Sequence, residues 1–436
     1  MCDILIPMDI SLSLNGDVNI VNIVDQIRAL NVENVILCRF IEIMNDVVTT
    51  DLCGEKYKHN KNERFVRAGK GSRQITTMVG KLSFVVDKVR DTWTGEIFKP
   101  LLTTLGIQPY KNFQEDVSWA STDIATKCTF RDTKYVMENF LKETLSPSTI
   151  NRRVIETGAE IKEFLKNKNK DSSCDEKYEY FYGDGTKSHS QEDRYKNDIN
   201  VVITTNDQNE KVLLSCCVNK SWDEVSQEVE ELNVLSDDAV LISDAEPGLI
   251  KSFTQKGKKH QLDFIHFTND MLYKLWSDNK IDLSARKEIE KFGKKIIYKL
   301  KNQVKKYADD KKTLKKKINE AVDELKKLSQ YLHEIGCVKS AKFVKKHSNN
   351  LVTFAILKTQ GKNIPWNSNI IERLMGEIQK RCKHKWMRWT TTGQESILNL
   401  ILTRYTNTQH YEEFKNKKLK TKNKKNIQTK IKLKKT

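Results

Sequence analysis

The stretch from Tyr180 to Ser188 reads YFYGDGTKS, and it sets Asp184 between two glycines after an aromatic run that favours a β-strand. One interpretation is a turn, because Gly-Asp-Gly commonly ends a strand and glycine adopts backbone angles that other residues avoid. The other interpretation is chemical, because a carboxylate at the end of a strand offers the oxygen ligands that Mg²⁺ prefers. The chemical interpretation requires further carboxylates elsewhere in the chain.

The segments that surround Asp184 alternate in the way that strands do. YEYFYGD, DINVVITTND and EKVLLSCCVNK predict three successive strands, and DAVLISDAEPG predicts a fourth. Between the third and the fourth, SWDEVSQEVEEL predicts a helix that begins with a capping box of Ser221 and Glu224. Three strands, a helix and a further strand, with more helices following, are the order of an RNase H-like α/β core.

A second carboxylate, Asp244, ends the fourth predicted strand in VLISDAEPGL and repeats the pattern around Asp184. In a mixed sheet the ends of neighbouring strands lie at one edge, so the two aspartates are expected to meet there. The alternative is a capping aspartate, because aspartate before a Pro-Gly turn is common.

The third candidate is Glu372 in NSNIIERLMGEIQKR. The alternative here is a capping box, in which Asn369 caps a helix and Glu372 completes the box three residues later. The helix pattern favours a functional role, because Glu372 projects beside a predicted buried stripe, and Gly376 would let the helix approach a sheet closely. The stripe consists of Ile371, Leu374 and Ile378. Three such acids would suit phosphodiester chemistry, in which two Mg²⁺ ions about 3.5 to 4 Å apart activate the attacking oxygen and neutralise the leaving one.

Composition points to a polyanionic partner. The 436 residues contain 76 Lys and Arg against 58 Asp and Glu, which gives a net charge of +18 and an isoelectric point near 9.3. This balance favours nucleic acid over an acidic small substrate. No run approaches the roughly 18 to 20 apolar residues of a membrane span, and the first residues lack a signal-peptide pattern, so we expect a cytosolic protein without a membrane partner. The nine cysteines include no CxxC spacing, which favours reduced thiols over a structural zinc site.

The pattern along the chain predicts six regions. A helical segment and a β-hairpin at Gly80 come first, and then a helical region whose SPST turn, capped by Ser148 or Thr149, precedes Arg152 and Arg153. That region predicts either a DNA-binding helix-turn-helix or an ordinary helical hairpin with a basic face. The predicted regions are residues 1–110 (helices and hairpin), 111–172 (helix-turn-helix), 173–268 (first part of the core), 269–361 (Lys-rich helical insertion), 362–410 (second part of the core) and 411–436 (basic disordered tail).

Four motifs in order, GDGT, ISDAEPGL, QLDFIHF and NIIERLMGEIQKR, resemble the DDE transposases of prokaryotic insertion sequences, within the Mutator-like group. The resemblance covers about residues 175–400, and RQITTMVGKLSFVVDKVRD is similar to the segment that precedes the core in related transposases. It implies that Asp184, Asp244 and Glu372 are the catalytic residues and ligate Mg²⁺ or Mn²⁺. Asp263 and His266 match an accessory motif of the group, and for His266 the alternative is a structural histidine on a strand. KHKWMRWTTTGQES departs from the commonest Mutator-like ending, so the subfamily stays open.

The resemblance also implies a function. The protein would bind the terminal inverted repeats of an insertion sequence and catalyse cleavage and strand transfer of double-stranded DNA, as a homodimer or higher oligomer on DNA near the nucleoid. For Trp386 and Trp389 there are two interpretations, packing in the core or stacking on a flipped base. Basic residues beside Glu372 are candidate phosphate contacts: Arg373, Lys380, Arg381, Lys383 and Lys385.

Two other functions fit parts of the pattern. An RNase H-like nuclease without strand transfer would share the three acids, but the long insertion and the separate upstream region argue against it. An inactive DNA-binding relic would need no acids, and the chain has acids at all three positions.

We predict that Arg152→Ala or Arg153→Ala weakens binding to the element's ends by about 1 to 3 kcal/mol and weakens binding to scrambled DNA much less, because contacts to base edges discriminate between sequences. Binding titrations against both DNAs measure the difference. An equal loss on both DNAs would assign these arginines to phosphate contacts instead.

Overall fold

The computed structural model describes residues 20–55, 64–140, 145–171, 177–192, 195–206, 210–385 and 387–419. The chain divides into two compact units, Met1–Arg153 with Lys415–Thr436, and Val154–Phe414. Within the described ranges, no helix has the length and apolar character needed to cross a membrane.

The first unit has helices packed on a small antiparallel sheet. The predicted hairpin is confirmed, with Thr77 paired to Gly80 across the turn and Gly80 at a φ of 112° that glycine tolerates. A buried pair joins helix to sheet, because Asn45 donates to Asp87 Oδ2 at 3.2 Å and accepts from the Asp87 N–H at 3.0 Å. The elements are α1 (Ile20–Leu30), α2 (Val32–Cys53), β1 (Phe65–Thr77), β2 (Gly80–Asp91), β3 (Ile97–Phe98), α3 (Pro100–Thr104), α4 (Glu115–Ala125) and α5 (Phe130–Phe140).

The next helix, α6 (Pro147–Asp171), begins one turn earlier than the predicted recognition helix. The cap is Ser146, whose Oγ accepts from the Thr149 N–H at 3.1 Å, so the prediction of Ser148 or Thr149 as the cap is wrong. Pro147 occupies the first helical position, where its missing N–H costs nothing. Arg152 is exposed and Arg153 is half-buried. The helix-turn-helix stays a prediction, because residues 141–144 of its turn lie outside the described ranges.

A five-stranded mixed sheet forms the centre of the second unit, and it confirms the predicted order of strands and helix. The order across the sheet is β6-β5-β4-β7-β8, in which the first three strands are antiparallel and β7 and β8 run parallel to β4. The strands are β4 (Tyr178–His189), β5 (Lys196–Thr205), β6 (Lys211–Val218), β7 (Leu235–Ser243) and β8 (Lys259–Leu262).

One face of this sheet packs against α7 (Trp222–Glu231) and α8 (Pro247–Thr254). The predicted capping box of Ser221 and Glu224 at the start of α7 is confirmed. The shared core is apolar and fully desolvated, which is the main stabilising contribution to the unit. It includes Phe181, Val202, Val225, Leu241, Leu249 and Phe253.

The glycines around Asp184 serve this packing. β4 continues to His189, so GDG is neither a turn nor a strand end, and both of those predictions are wrong. Gly183 and Gly185 face α7 and α8, and a Cβ at Gly183 would lie 2.9 Å from Leu249 Cδ1. Since side chains alternate along a strand, Asp184 points to the opposite face.

The predicted helical insertion at 269–361 is made of helices, although the first of them already begins at Phe264. Their apolar stripes pack on one another, for example where the rings of Phe267 and Phe343 stack with centroids 5.6 Å apart. The helices are α9 (Phe264–Asp278), α10 (Leu283–Lys306), α11 (Lys311–Glu334), α12 (Val338–His347) and α13 (Thr353–Thr359).

Three helices follow, α14 (Asn369–Cys382), α15 (Thr391–Thr406) and α16 (Thr408–Leu419). The prediction of disorder from residue 411 is wrong for 411–419, because α16 buries apolar side chains and Phe414 packs on Phe164 at 5.6 Å. Residues 420–436 lie outside the described ranges.

We predict opposite effects from two alanine substitutions in helices. A Cβ at Gly158 of α6 would lie 2.6 Å from the Ser396 Cα of α15, so Gly158→Ala should destabilise the protein by about 1 to 3 kcal/mol through overpacking. A Cβ at Gly376 of α14 meets open space, so Gly376→Ala should stabilise it by up to about 1 kcal/mol. Chemical denaturation measures both, and a stable Gly158→Ala variant would contradict the close helix contact.

Candidate active site

The parallel pairing of β4 with β7 brings Asp184 beside Asp244. Tyr182 pairs with Ile242, and two residues further on the same register places Asp184 opposite Asp244 on the same face of the sheet. Because β7 ends at Ser243, the pairing of β4 with β7 also ends there, and the two aspartates follow shortly after the last paired residues. The turn interpretation of Asp244 also holds locally, because its Oδ1 accepts from the Glu246 N–H at 3.1 Å.

Asp184 has a strongly raised pKa. Burial is the largest cause and the Asp244 carboxylate is the next, and together they raise the pKa of Asp184 to about 7. The Gly185 N–H, which donates to Asp184 Oδ1 at 2.7 Å, and the nearby His266 oppose this shift, while Glu372 adds to it. Asp184 therefore lies within electrostatic reach of Asp244, His266 and Glu372.

A histidine at the start of α9 bonds to the Glu372 side chain. His266 Nε2 lies 2.9 Å from Glu372 Oε1 and bonds to it. His266 belongs to the first turn of α9, so its predicted place on a strand is wrong. Burial lowers the pKa of His266, but the Asp263 carboxylate and the bond to Glu372 outweigh burial and raise it.

Asp263 fastens the starts of two helices together. It is fully buried, and its Oδ1 caps α9 by accepting from the N–H groups of Ile265 at 2.6 Å and His266 at 2.9 Å. Its Oδ2 accepts from Ser368, both from the N–H at 2.6 Å and from Oγ at 3.1 Å, at the start of α14. These four bonds fix His266 and Glu372 relative to each other.

The cap of α14 differs from the prediction. Ser368 is the capping residue, so the Asn369–Glu372 capping box is wrong. Glu372 instead accepts from His266 and, at 3.3 Å, from Ser368 Oγ. The buried stripe of Ile371, Leu374 and Ile378 is confirmed, but open space beside Gly376 shows that the predicted close approach is wrong.

One group among the described residues has spacing suited to a metal ion. Ligand atoms of Asp263, His266 and Glu372 all lie within 4.8 Å of one another. Asp263 already accepts four hydrogen bonds, however, which suits a structural role better than ligation. Asp184 and Asp244 are not members of this tight group.

Asp270 is a further acid within electrostatic reach of Asp244 and His266, and the sequence analysis missed it. It lies on α9 one turn after His266, and burial first and Asp244 next raise its pKa. The signal was its spacing of four residues from His266, which places the two on one helix face.

Four of the five predicted phosphate contacts around α14 are exposed. These are Arg373, Lys380, Lys383 and Lys385. Arg381 is only 2% exposed, with its guanidinium 4.9 Å from the Trp389 ring, so its assignment as a phosphate contact is wrong. Trp389 is buried in the core, and Trp386 lies outside the described residues.

Lys383 also lines a cavity of 260 Å³ at the end of the β4–β5 hairpin. The other lining residues are Lys187, Ser188, His189 and Lys196. Three lysines around one cavity favour an anionic ligand.

Comparison with known families identifies the family of this chain. The family described as "Transposase, Mutator family" matches residues 21–416, which is most of the chain, and it confirms the group inferred from the four motifs. No curated protein matches the sequence.

We predict that Asp184→Asn stabilises the metal-free protein, with a gain that grows as the pH rises. The raised pKa means that folded Asp184 keeps its proton between about pH 4 and pH 7 while the unfolded chain releases it, so wild-type stability falls across this window. Asparagine removes that loss. Melting temperatures in EDTA at several pH values test this, and a difference independent of pH would contradict the raised pKa.

Proposed function

Because the chain belongs to the Mutator family of transposases, we propose that it binds the terminal inverted repeats of a mobile element, cleaves the DNA there and joins the ends to target DNA. The observation that supports this proposal is the parallel register that aligns Asp184 with Asp244 at the end of the β4–β7 pairing, within electrostatic reach of Glu372. These acids come from two strands and a distant helix, and their meeting requires the whole second unit to fold.

We also propose that the second unit is an RNase H-like core interrupted by a helical insertion. The support is the strand order, with three antiparallel strands followed by two that run parallel to the first of them. The insertion corresponds to the helices between Asp263 and Ser368, so it enters and leaves the core at the residues that hold Glu372.

The donors at the site suit two Mg²⁺ or Mn²⁺ ions. Asp184 and Asp244 offer carboxylates at the ends of paired strands, and Glu372 offers a third carboxylate. Burial first and the Asp244 carboxylate next raise the pKa of Asp184, and a bound cation would offset both effects. When bound there, such ions would activate the attacking oxygen and stabilise the charge on the leaving oxygen of the phosphodiester.

The side chains around the acids prepare the site. His266 fixes one Glu372 oxygen, and the Asp263 carboxylate and this bond outweigh burial and raise the pKa of His266. Asp263 keeps His266 oriented through the start of α9. Rigid placement of this kind supplies much of the effect in phosphoryl chemistry, because the reacting groups need orientation more than covalent help.

We propose that double-stranded DNA passes over the exposed basic residues that follow Glu372. Arg373, Lys380 and Lys385 are exposed, and the cavity lined by Lys383, Lys187 and Lys196 suits a backbone phosphate. Cleavage of two ends in one complex would require at least a homodimer on DNA.

A plasmid assay tests the function. Supercoiled plasmid carrying the element's ends is incubated with the protein and Mg²⁺, and a transposase should release and join the ends. Nicking without joining would favour the nuclease, and binding without cleavage would favour the inactive relic.

We predict that Asp184→Asn, Asp244→Asn and Glu372→Gln each reduce cleavage and joining to background while binding of the ends stays nearly unchanged, because each removes a metal ligand with little change in shape. The matched control is Asp237→Asn. Asp237 is an exposed acid on β7, the strand that ends just before Asp244, and this variant should keep wild-type rates. Normal cleavage by any of the three variants would remove that residue from the site.

A further inference from the structure

A buried histidine, His260, lies on β8, the strand that pairs with β7 just before Asp244. His260 of β8 is 5% exposed, and both of its ring nitrogens have polar partners. Nε2 lies 3.1 Å from Ser243 Oγ, and Nδ1 lies 3.0 Å from the side-chain amide nitrogen of Asn350.

The hydrogen bonds around His260 run in one direction. The Asn350 amide nitrogen is a donor, so Nδ1 accepts from it and the ring proton is on Nε2. Nε2–H then donates to Ser243 Oγ, and the Ser243 hydroxyl donates to the Asp244 backbone carbonyl at 2.9 Å. Every donor in this chain faces an acceptor, from Asn350 to Asp244.

The ring stays neutral in this setting. Burial, and next the nearby His347, lower the pKa of His260 to about 3. A neutral ring with one proton gives the chain of bonds a single direction, whereas a charged ring would donate from both nitrogens and lose the bond from Asn350.

Asn350 joins this chain to the end of the helical insertion. It lies between α12 and α13, and its carbonyl accepts from the Leu262 N–H at 3.0 Å. Thr353 Oγ1 donates to the His260 carbonyl at 2.8 Å, and Gln261 Oε1 accepts from the Phe354 N–H at 2.7 Å. The residues where the insertion returns to the core are therefore bonded along β8.

We propose that His260 is a positioning residue that holds the backbone at Asp244 and couples its place to the last part of the helical insertion. The proposal rests on the proposed function, in which Asp244 is a metal ligand. Ser243 also anchors α9, because its carbonyl accepts from the Asp263 N–H at 2.9 Å. One strand end thus fixes both the second acid and the residue that orients His266 and Glu372.

The test compares a matched control with variants of the relay, by which we mean the hydrogen-bonded chain from Asn350 through His260 and Ser243 to the Asp244 carbonyl. Ser243→Ala and His260→Phe break the chain of bonds, and His260→Gln keeps a donor near the position of Nε2. The control is His347→Phe, because His347 is 3% exposed and packs on Phe343, and its side chain makes no hydrogen bond to β7 within the described structure. The readouts are Mn²⁺ affinity by calorimetry and the rate of a single round of end cleavage at saturating DNA.

Ser243→Ala and His260→Phe should each lower Mn²⁺ affinity and the cleavage rate by about 10- to 100-fold, since outer partners of metal ligands have effects of this size. DNA affinity should stay unchanged. His260→Gln should recover most of the loss, and His347→Phe should behave as wild type. Mn²⁺ affinity of Ser243→Ala equal to that of the control would overturn the proposal.

A separate measurement does not depend on activity. Nitrogen-15 NMR of the histidine rings in the metal-free protein at pH 7 should show His260 neutral and protonated on Nε2. Protonation on Nδ1 or a charged ring would overturn the relay in an active enzyme. If the wild type joins no DNA while the ring has the expected proton and Ser243→Ala weakens Mn²⁺ binding, the proposed function fails and the relay stands.

Discussion

The arrangement of the site depends on one buried carboxylate, Asp263. A buried ionised group is costly unless several donors replace its water, and Asp263 has four of them. Two donors belong to the start of α9 and two to Ser368 at the start of α14, helices that are far apart in the chain. Loss of either set would leave one of the two carboxylate oxygens without these donors, so the helix starts and the residues they carry, His266 and Glu372, are fixed together.

Repulsion among the acids of the site lowers the stability of the folded protein. Asp184, Asp244 and Glu372 repel one another, and the raised pKa of Asp184 is the measure of that repulsion together with burial. His266 is the nearby group that offsets it, and its own pKa rises in return. Sites that bind cations commonly keep such repulsion, because the free energy returns when the cation binds.

Local signals in the sequence predicted local structure well. The strands and the Ser221 capping box depend on neighbouring residues, and both appear in the structure. Features set by distant partners were not predictable. The predicted Asn369–Glu372 capping box does not form because Glu372 bonds to His266, and Ser368 at the start of α14 bonds to Asp263, which is far away in the chain. The glycines beside Asp184 suggest a turn in the sequence, but in the structure they make room for the packing of α8 against β4.

The bond between Asp263 and Ser368 closes residues 264–367 into a loop at its base. The entropy of closing a loop grows slowly with length, by about 0.6 kcal/mol for each doubling of a flexible loop. Because the base is fastened inside the core, the separation between the starts of α9 and α14 does not depend on the number of residues in the loop. The base of the loop, rather than its length, therefore sets the position of Glu372 relative to His266.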